Sequence, residues 1–181
     1  GYSSINMMSP EGEKKKSITL VKGERSPRFE SLHLLNSKLG VSLDGRIAFI
    51  SKSQENDVIY LYDVSRRKII NKRGFRELVE LSSPSWSPDG KQVAFVGTAK
   101  NGFSDLYISD FSSGLKPDGD NSLTALTQDI YEERNPSWSP DGMRIVFSSD
   151  RGQAGEKGYL NLFIFDLNTR EIIPLTYGEQ K

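Results

Sequence analysis

The heptapeptide Pro84-Ser85-Trp86-Ser87-Pro88-Asp89-Gly90 returns unchanged as Pro136-Ser137-Trp138-Ser139-Pro140-Asp141-Gly142, 52 residues further along the chain. Identity at all seven positions is not a chance event, so the chain is built from repeating units. A third copy, Val41-Ser42-Leu43-Asp44-Gly45, stands upstream. It keeps Ser, Asp and Gly but has Val for Trp and Leu for Pro. After each copy comes a matched apolar run: Ile47-Ala48-Phe49-Ile50, Val93-Ala94-Phe95-Val96 and Ile145-Val146-Phe147. Further on, a second matched run ends in Asp: Ile59 to Asp63, Leu106 to Asp110 and Leu162 to Asp166. The second and third units close on Leu126-Thr127 and Leu175-Thr176. Repeats with a period of roughly 40–50 residues and several short strands each describe propeller blades or related arrays.

The turn chemistry says why these units are β-structure. In Ser-Pro-Asp-Gly, Pro presets the φ of a type I turn, Asp bonds local amides, and Gly takes the left-handed position that closes a hairpin. The flanking runs are rich in Val, Ile, Phe and Tyr, which pack well on pleated surfaces. No segment holds a helical apolar period over three turns. The expectation is an all-β chain of about fourteen strands, a partial β-propeller of about three and a half four-stranded blades. In each unit strand one ends at the Trp position. Strand two carries Phe49, Phe95 or Phe147, strand three is the run ending in Asp, and strand four ends at Leu-Thr. The units span 39–73, 82–127 and 135–176. Residues 1–38 form a half-blade hairpin and a connector, in which Ser4 to Gly12 followed by Ile18 to Leu20 reads as strands three and four of an earlier blade; Ser9-Pro10-Glu11-Gly12 as another strand-one turn is disfavoured, because it stands only 33 residues before Asp44. All of this is one open propeller domain.

Composition narrows the chemistry. The chain has no Cys and a single His, His33, which excludes thiol catalysis, disulfide scaffolds and two-histidine zinc hydrolysis. Its 24 Lys and Arg balance 24 Asp and Glu, without the basic surplus of a nucleic-acid binder. Residues 1–90 carry 15 basic and 11 acidic side chains, and residues 91–181 carry 9 and 13. The two halves are therefore either ordinary surface variation or oppositely charged ends that attract a neighbour. No apolar run reaches the ~18 residues of a membrane span. The opening Gly1-Tyr2-Ser3, without Met or signal peptide, reads as that of a processed or excised piece.

The motif order Pro-Ser-Trp-Ser-Pro-Asp-Gly, Ile/Val-Ala/Val-Phe, Leu-Tyr-Ile-x-Asp, Leu-Thr resembles the TolB-type β-propeller repeat, a relative of the WD-type repeat. The resemblance covers 39–176 and the N-terminal hairpin, and is weaker in the first unit, which lacks Trp and Pro. The segment Phe29 to Leu35 is similar to segments of large exported bacterial propeller proteins. Such repeats occur in the periplasmic TolB protein, in large secreted bacterial proteins and in oligopeptidase propellers. The resemblance implies a periplasmic or secreted location. Closed propellers of this type have roughly six or more blades, so three and a half imply a piece of a larger one. It also implies a non-catalytic module binding a protein or envelope component. The alternative is the substrate-gating propeller of a larger secreted peptidase or hydrolase whose catalytic domain lies outside this chain. No cofactor is expected.

Individual residues carry two readings each. Trp86 and Trp138 either stack on a ligand or, as their repetition favours, pack between blades. Asp44, Asp89 and Asp141, with Gly45, Gly90 and Gly142, fit turns better than acid catalysis. Asp63, Asp110 and Asp166 fit turn caps at strand ends. Asp118 and Asp120, in a polar insertion, offer clustered oxygens for Ca²⁺ but lack the closing Glu of a full calcium loop. The Gly-rich segment 150–158 matches no phosphate-binding loop and reads as a loop or partner contact. His33 has no nucleophile elbow to serve, because Asp44 stands where Gly40-x-Ser42 would need Gly. Lys14-Lys15-Lys16 and Arg66-Arg67-Lys68 lack the interleaved aromatics of a nucleic-acid surface. A blade needs a neighbour on each face, so both ends should expose apolar surface and favour self-association through open blade edges.

Overall fold

The structure, a computed structural model, describes residues 4–8, 17–22, 31–32, 37–53, 56–112, 123–152 and 157–178. These residues form fifteen strands and no helix. A hairpin comes first, with β1 (Ser4–Met7) paired to β2 (Ile18–Lys22). The first blade contains β3 (Ser31–Leu32), β4 (Gly40–Val41), β5 (Arg46–Ser53), β6 (Asn56–Asp63) and β7 (Lys68–Gly74). The second runs β8 (Leu78–Trp86), β9 (Gln92–Ala99), β10 (Ser104–Asp110) and β11 (Leu123–Ala125). The third runs β12 (Glu133–Trp138), β13 (Arg144–Arg151), β14 (Lys157–Asp166) and β15 (Ile172–Pro174). Every pairing is antiparallel between sequence neighbours, except that β3 and β4 share β5. The innermost position of the first blade is therefore filled by two short strands, the earlier at Ser31–Leu32, before the Ser42 turn.

Period-two alternation gives each blade two apolar faces. Ile47 and Phe49 of β5 turn toward the hairpin and pack with Ile5 and Val21, while Ala48 and Ile50 turn to the second blade. Val93 and Phe95 meet that layer from the other side. Ala94, Val96, Leu106 and Ile108 then face Ile145, Phe147, Phe163 and Phe165 of the third blade. Each fully buried side chain of this size contributes roughly 1.5–3 kcal/mol. An aromatic pair repeats at the centre of each blade, across strands two and three. Phe49 lies against Tyr60 at 5.3 Å, Phe95 against Tyr107 at 5.9 Å and Phe147 against Phe163 at 5.9 Å. All three are register partners.

The turns between strands one and two share one network. The hydroxyl of Ser42, Ser87 and Ser139 donates to the carboxylate two residues on, at 2.5, 2.6 and 2.5 Å. The same oxygen accepts the amide of Arg46, Gln92 or Arg144. Gly45, Gly90 and Gly142 have φ of 80°, 67° and 72°, the left-handed geometry that closes the turn.

The outer face of the third blade corresponds to the covered face of the second. Leu162 and Leu175 are 44% and 47% exposed there, whereas their counterparts Leu106 and Leu126 are buried. The far face of the hairpin differs from expectation. It presents Ser4, Asn6 and Thr19, with the Thr19 hydroxyl donating to Asn6 at 2.8 Å and the Asn6 amide to Ser4 at 3.0 Å. Among the described residues the third blade exposes the larger apolar surface, Met7 and Met8 are exposed at the hairpin, and the hairpin face carries one cross-strand bond, Thr19 to Asn6, beside the Asn6–Ser4 bond within β1.

The indoles sit at blade junctions in different depths. Trp86 is buried beneath the Arg46 guanidinium, 4.5 Å from the ring, while Trp138 is half-buried. Trp86→Ala should lower the unfolding free energy by about 3 kcal/mol and Trp138→Ala by about 2, measured by urea denaturation. A Trp86 variant that unfolds like the parent would contradict the packing.

Candidate functional site

Two constellations concentrate polar chemistry. The first is a groove along the innermost strands of the three blades. Its walls are residues 38–41, 83–86 and 135–138, around a cavity of about 380 Å³. Lys38, Ser83 and Asn135 hold the same position relative to their turns, one per blade. Ser83 and Asn135 are non-glycine residues at positive φ, 53° and 54°, each preceding Pro and each within a break of strand register. Such conformers cost on the order of 1–3 kcal/mol, and they occur where surroundings hold them for a purpose.

Side chains, and not a backbone ladder, tie these strands together. The Ser83 amide donates to the Ser37 hydroxyl at 3.1 Å, and the Ser83 hydroxyl to Asn135 Oδ1 at 3.3 Å. Trp138 Nε1 donates to the Ser85 carbonyl at 3.1 Å. The corresponding Nε1 of Trp86 is buried without a hydrogen-bond partner among the described residues. A Cβ on Gly40 would fall 2.6 Å from the Pro84 carbonyl oxygen, so only Gly lets β4 and β8 approach this closely.

The second constellation lies in the seam between the second and third blades. Carboxylate oxygens of Asp105, Asp129 and Glu133 lie within 4.8 Å of one another. The positive charge among them is the Arg151 guanidinium, which donates to Glu133 Oε1 at 2.6 Å and Asp129 Oδ2 at 3.0 Å. Glu133 has no solvent exposure. Its Oε1 also accepts the Ser149 hydroxyl at 3.1 Å, and its Oε2 the Thr127 hydroxyl at 3.3 Å. Burial pushes Glu133 up to about 7, against the pull of Arg151. Burial raises Asp105 as well, against the Asp129 amide that bonds it.

Part of this seam follows the repeat. Thr127 Oγ1 accepts the Leu106 amide at 2.9 Å, and Thr176 Oγ1 accepts the Leu162 amide at 2.9 Å. Asp105 accepts the Asp129 amide, and Asn161 accepts the Gly178 amide. The Leu-Thr pairs and the Asp105/Asn161 position thus form a recurring latch from strand three to the chain leaving strand four, and the repeat carries its signal. Glu133 and Arg151 carry no such mark. Glu133 stands in a charged triplet, and Arg151 is the second residue of the Gly-rich segment.

The remaining candidate residues disperse over the fold. Asp44, Asp89 and Asp141 lie in turns far from the seam. The Arg46 side chain, foremost, holds Asp44 below the usual carboxylate range, and the Ser87 and Ser139 hydroxyls do the same for Asp89 and Asp141. Asp63, Asp110 and Asp166 accept amides of the turns that follow them. Arg66 pairs with Asp63 at 3.6 Å. His33, Asp118, Asp120, Lys14, Lys15 and Lys16 lie outside the described residues. Of the Gly-rich segment, Asp150 accepts the Glu132 amide at 2.7 Å, and residues 153–156 lie outside the described residues.

Glu133 makes stability depend on pH in a definite sense. Its folded value is raised from 4.5 to about 7, so between these values the folded chain holds a proton that the unfolded chain releases. This contribution is fully present below the unfolded value and is lost as pH rises toward the folded one. The stability of the parent minus that of Glu133→Gln should fall across this window by up to ~1.4 kcal/mol per pH unit. Urea midpoints at pH 5 and 7.5 provide the check, and a rising difference would contradict it.

The family described as the TolB beta propeller domain matches residues 40–181. An uncharacterized protein of Agrobacterium fabrum is 32% identical over 81% of this chain and 46% of its own length. The uncharacterized peptidase YuxL of Bacillus subtilis is 28% identical over 64% of this chain and 17% of its own. The Tol-Pal system protein TolB of Wigglesworthia glossinidia brevipalpis is 30% identical over 62% and 28%. Among solved structures, TolB from Acinetobacter baumannii superposes with a TM-score of 0.67 at 24% identity, over 96% of this chain and 37% of that one. The chain thus spans less than half the length of these relatives. From the repeated turn, the paired aromatics and the family match, the chain belongs to the TolB beta-propeller domain family.

Proposed function

We propose that this propeller is a non-catalytic binding module that takes a protein partner along the groove of its inner strands, in a periplasmic or otherwise exported setting like that implied by its TolB relatives. The observation that carries this reading is the pair of strained residues, Ser83 and Asn135, held at equivalent positions in one cavity wall. Each sits in a break of strand register, so the two conformers shape the groove wall. The polar groups of the seam are committed to one another, with Glu133 accepting three donors and Arg151 held by two carboxylates. That arrangement suits architecture better than acid–base turnover.

The match to a peptidase of Bacillus subtilis supports a second reading, in which the propeller gates a catalytic domain encoded beside it. A hydrolase nucleophile elbow in the flanking reading frame would favour this reading. A photoreactive amino acid at Lys38 or Ser85 should form protein adducts in cells, while one at Lys72 on the outer strand β7 should not. Adducts only at position 72 would sink the groove as the binding surface.

Self-association belongs to the same proposal. The exposed Leu160, Leu162, Ile173 and Leu175 of the third blade form an apolar face like those buried elsewhere in the fold. Light scattering on the 181-residue chain should show mass rising with concentration. A constant monomer mass would refute this.

A further inference from the structure

We propose that Glu133 is a proton-operated latch that sets the spacing between the inner strands of the second and third blades, and thereby the width of the groove. The inference rests on the groove as the binding surface, and its test requires no partner. Glu133 is the first residue of β12, and Asn135, two residues along the same strand, lines the groove. The Glu133 carboxylate joins both sides of the seam. Thr127 and Asp129 come from the chain leaving the second blade, Asp105 from β10, and Ser149 and Arg151 from β13. The Tyr131 ring lies 5.1 Å from the same guanidinium. These elements converge on one side chain without solvent exposure.

Among the described residues, the charges in the seam do not balance. Three carboxylates surround one guanidinium, and Arg151 divides its bonds between Glu133 and Asp129. With all three acids ionised the cluster holds two excess negative charges, and burial of Glu133 leaves them poorly screened. A proton on Glu133 removes one of them. Arg151 then keeps Asp129, and the connector carrying Asp129 stays drawn against β12. When the proton leaves, repulsion among Glu133, Asp129 and Asp105 acts across the seam. The closed seam binds the proton more tightly than an open one would, because opening returns Glu133 to water. By linkage, rising pH then favours opening. The register break between Arg134 and Ser137, with Asn135 at positive φ, is the point where displacement of Glu133 becomes a change in the groove wall. In the third blade Asn161 occupies the place of Asp105, so this charge imbalance is not repeated at the corresponding latch.

The two tryptophans supply a direct readout. The Trp138 indole donates to the Ser85 carbonyl across the second and third blades, so its N–H shift reports their spacing. Trp86, under Arg46 of the first blade, serves as the reference. In ¹H–¹⁵N spectra from pH 5.5 to 8.5, the Trp138 indole signal should titrate with a midpoint near the Glu133 value of about 7, and the Trp86 signal should stay still. Glu133→Gln should hold Trp138 at its low-pH position, which also separates Glu133 from His33, the one histidine of the chain. Asp129→Asn should lower the midpoint by half a pH unit or more, because it removes a repelling charge and releases Arg151 to Glu133. A Trp138 signal that stays flat in the parent overturns the proposal. So does a titration that persists in Glu133→Gln, or a midpoint unmoved in Asp129→Asn. If Glu133→Gln does not fold, the Asp129→Asn midpoint decides between the two outcomes.

Discussion

Burial of both faces of the first and second blades is the constraint on which the rest of this structure depends. In β5 the even and odd positions are equally apolar, so Ile47 and Phe49 need one neighbour and Ala48 and Ile50 another. A lone sheet of this kind would leave one face in water, and stacking is what makes it stable. The blade is also thin. Its own contribution is the aromatic pair on strands two and three, and those rings too lie in the layers between neighbouring sheets. Stability therefore resides in interfaces, as expected of a repeat array, and a large-to-small change at one junction is felt by two blades.

The junctions add a second device, arginine laid over aromatic rings. Arg46 covers Trp86 and donates to the Gly90 carbonyl. Arg73 covers Phe111 and bonds Ser109 and the Asp110 carbonyl. Arg170 covers Phe165 and donates to the Ala125 carbonyl of the preceding blade. Each guanidinium satisfies a carbonyl at the rim of an apolar layer while its plane rests on a ring. This explains how a chain with 27% charged residues builds cores with few buried charges. Arg151 differs in that it also reaches carboxylates inside the seam, where three acids outnumber its one positive charge among the described residues.

The inner strands are held differently from the outer ones. They diverge from a regular ladder at Ser83 and Asn135, and single hydrogen bonds such as Trp138 to Ser85 connect one blade to the next. A wall made of separate, side-chain-mediated contacts adjusts at lower cost than a continuous sheet.

Much of this architecture was legible in the chain. Period-two alternation, the Ser-x-Asp-Gly turn and the repeat interval are local properties. They determined the strands and the hairpins, because each depends only on residues a few positions apart. The two tryptophans read alike in sequence, yet one is buried with an N–H that has no partner among the described residues and the other is half-buried and hydrogen-bonded. Their neighbours come from different blades, and only stacking chooses those. The same holds for Glu133 and Arg151, which are 18 residues apart and carry no repeat signature. Their pairing, the desolvation that raises Glu133 and the charge imbalance around it exist only once β10, β12 and β13 meet. Desolvation and Coulomb energy depend on distances in space, and those the tertiary structure decided.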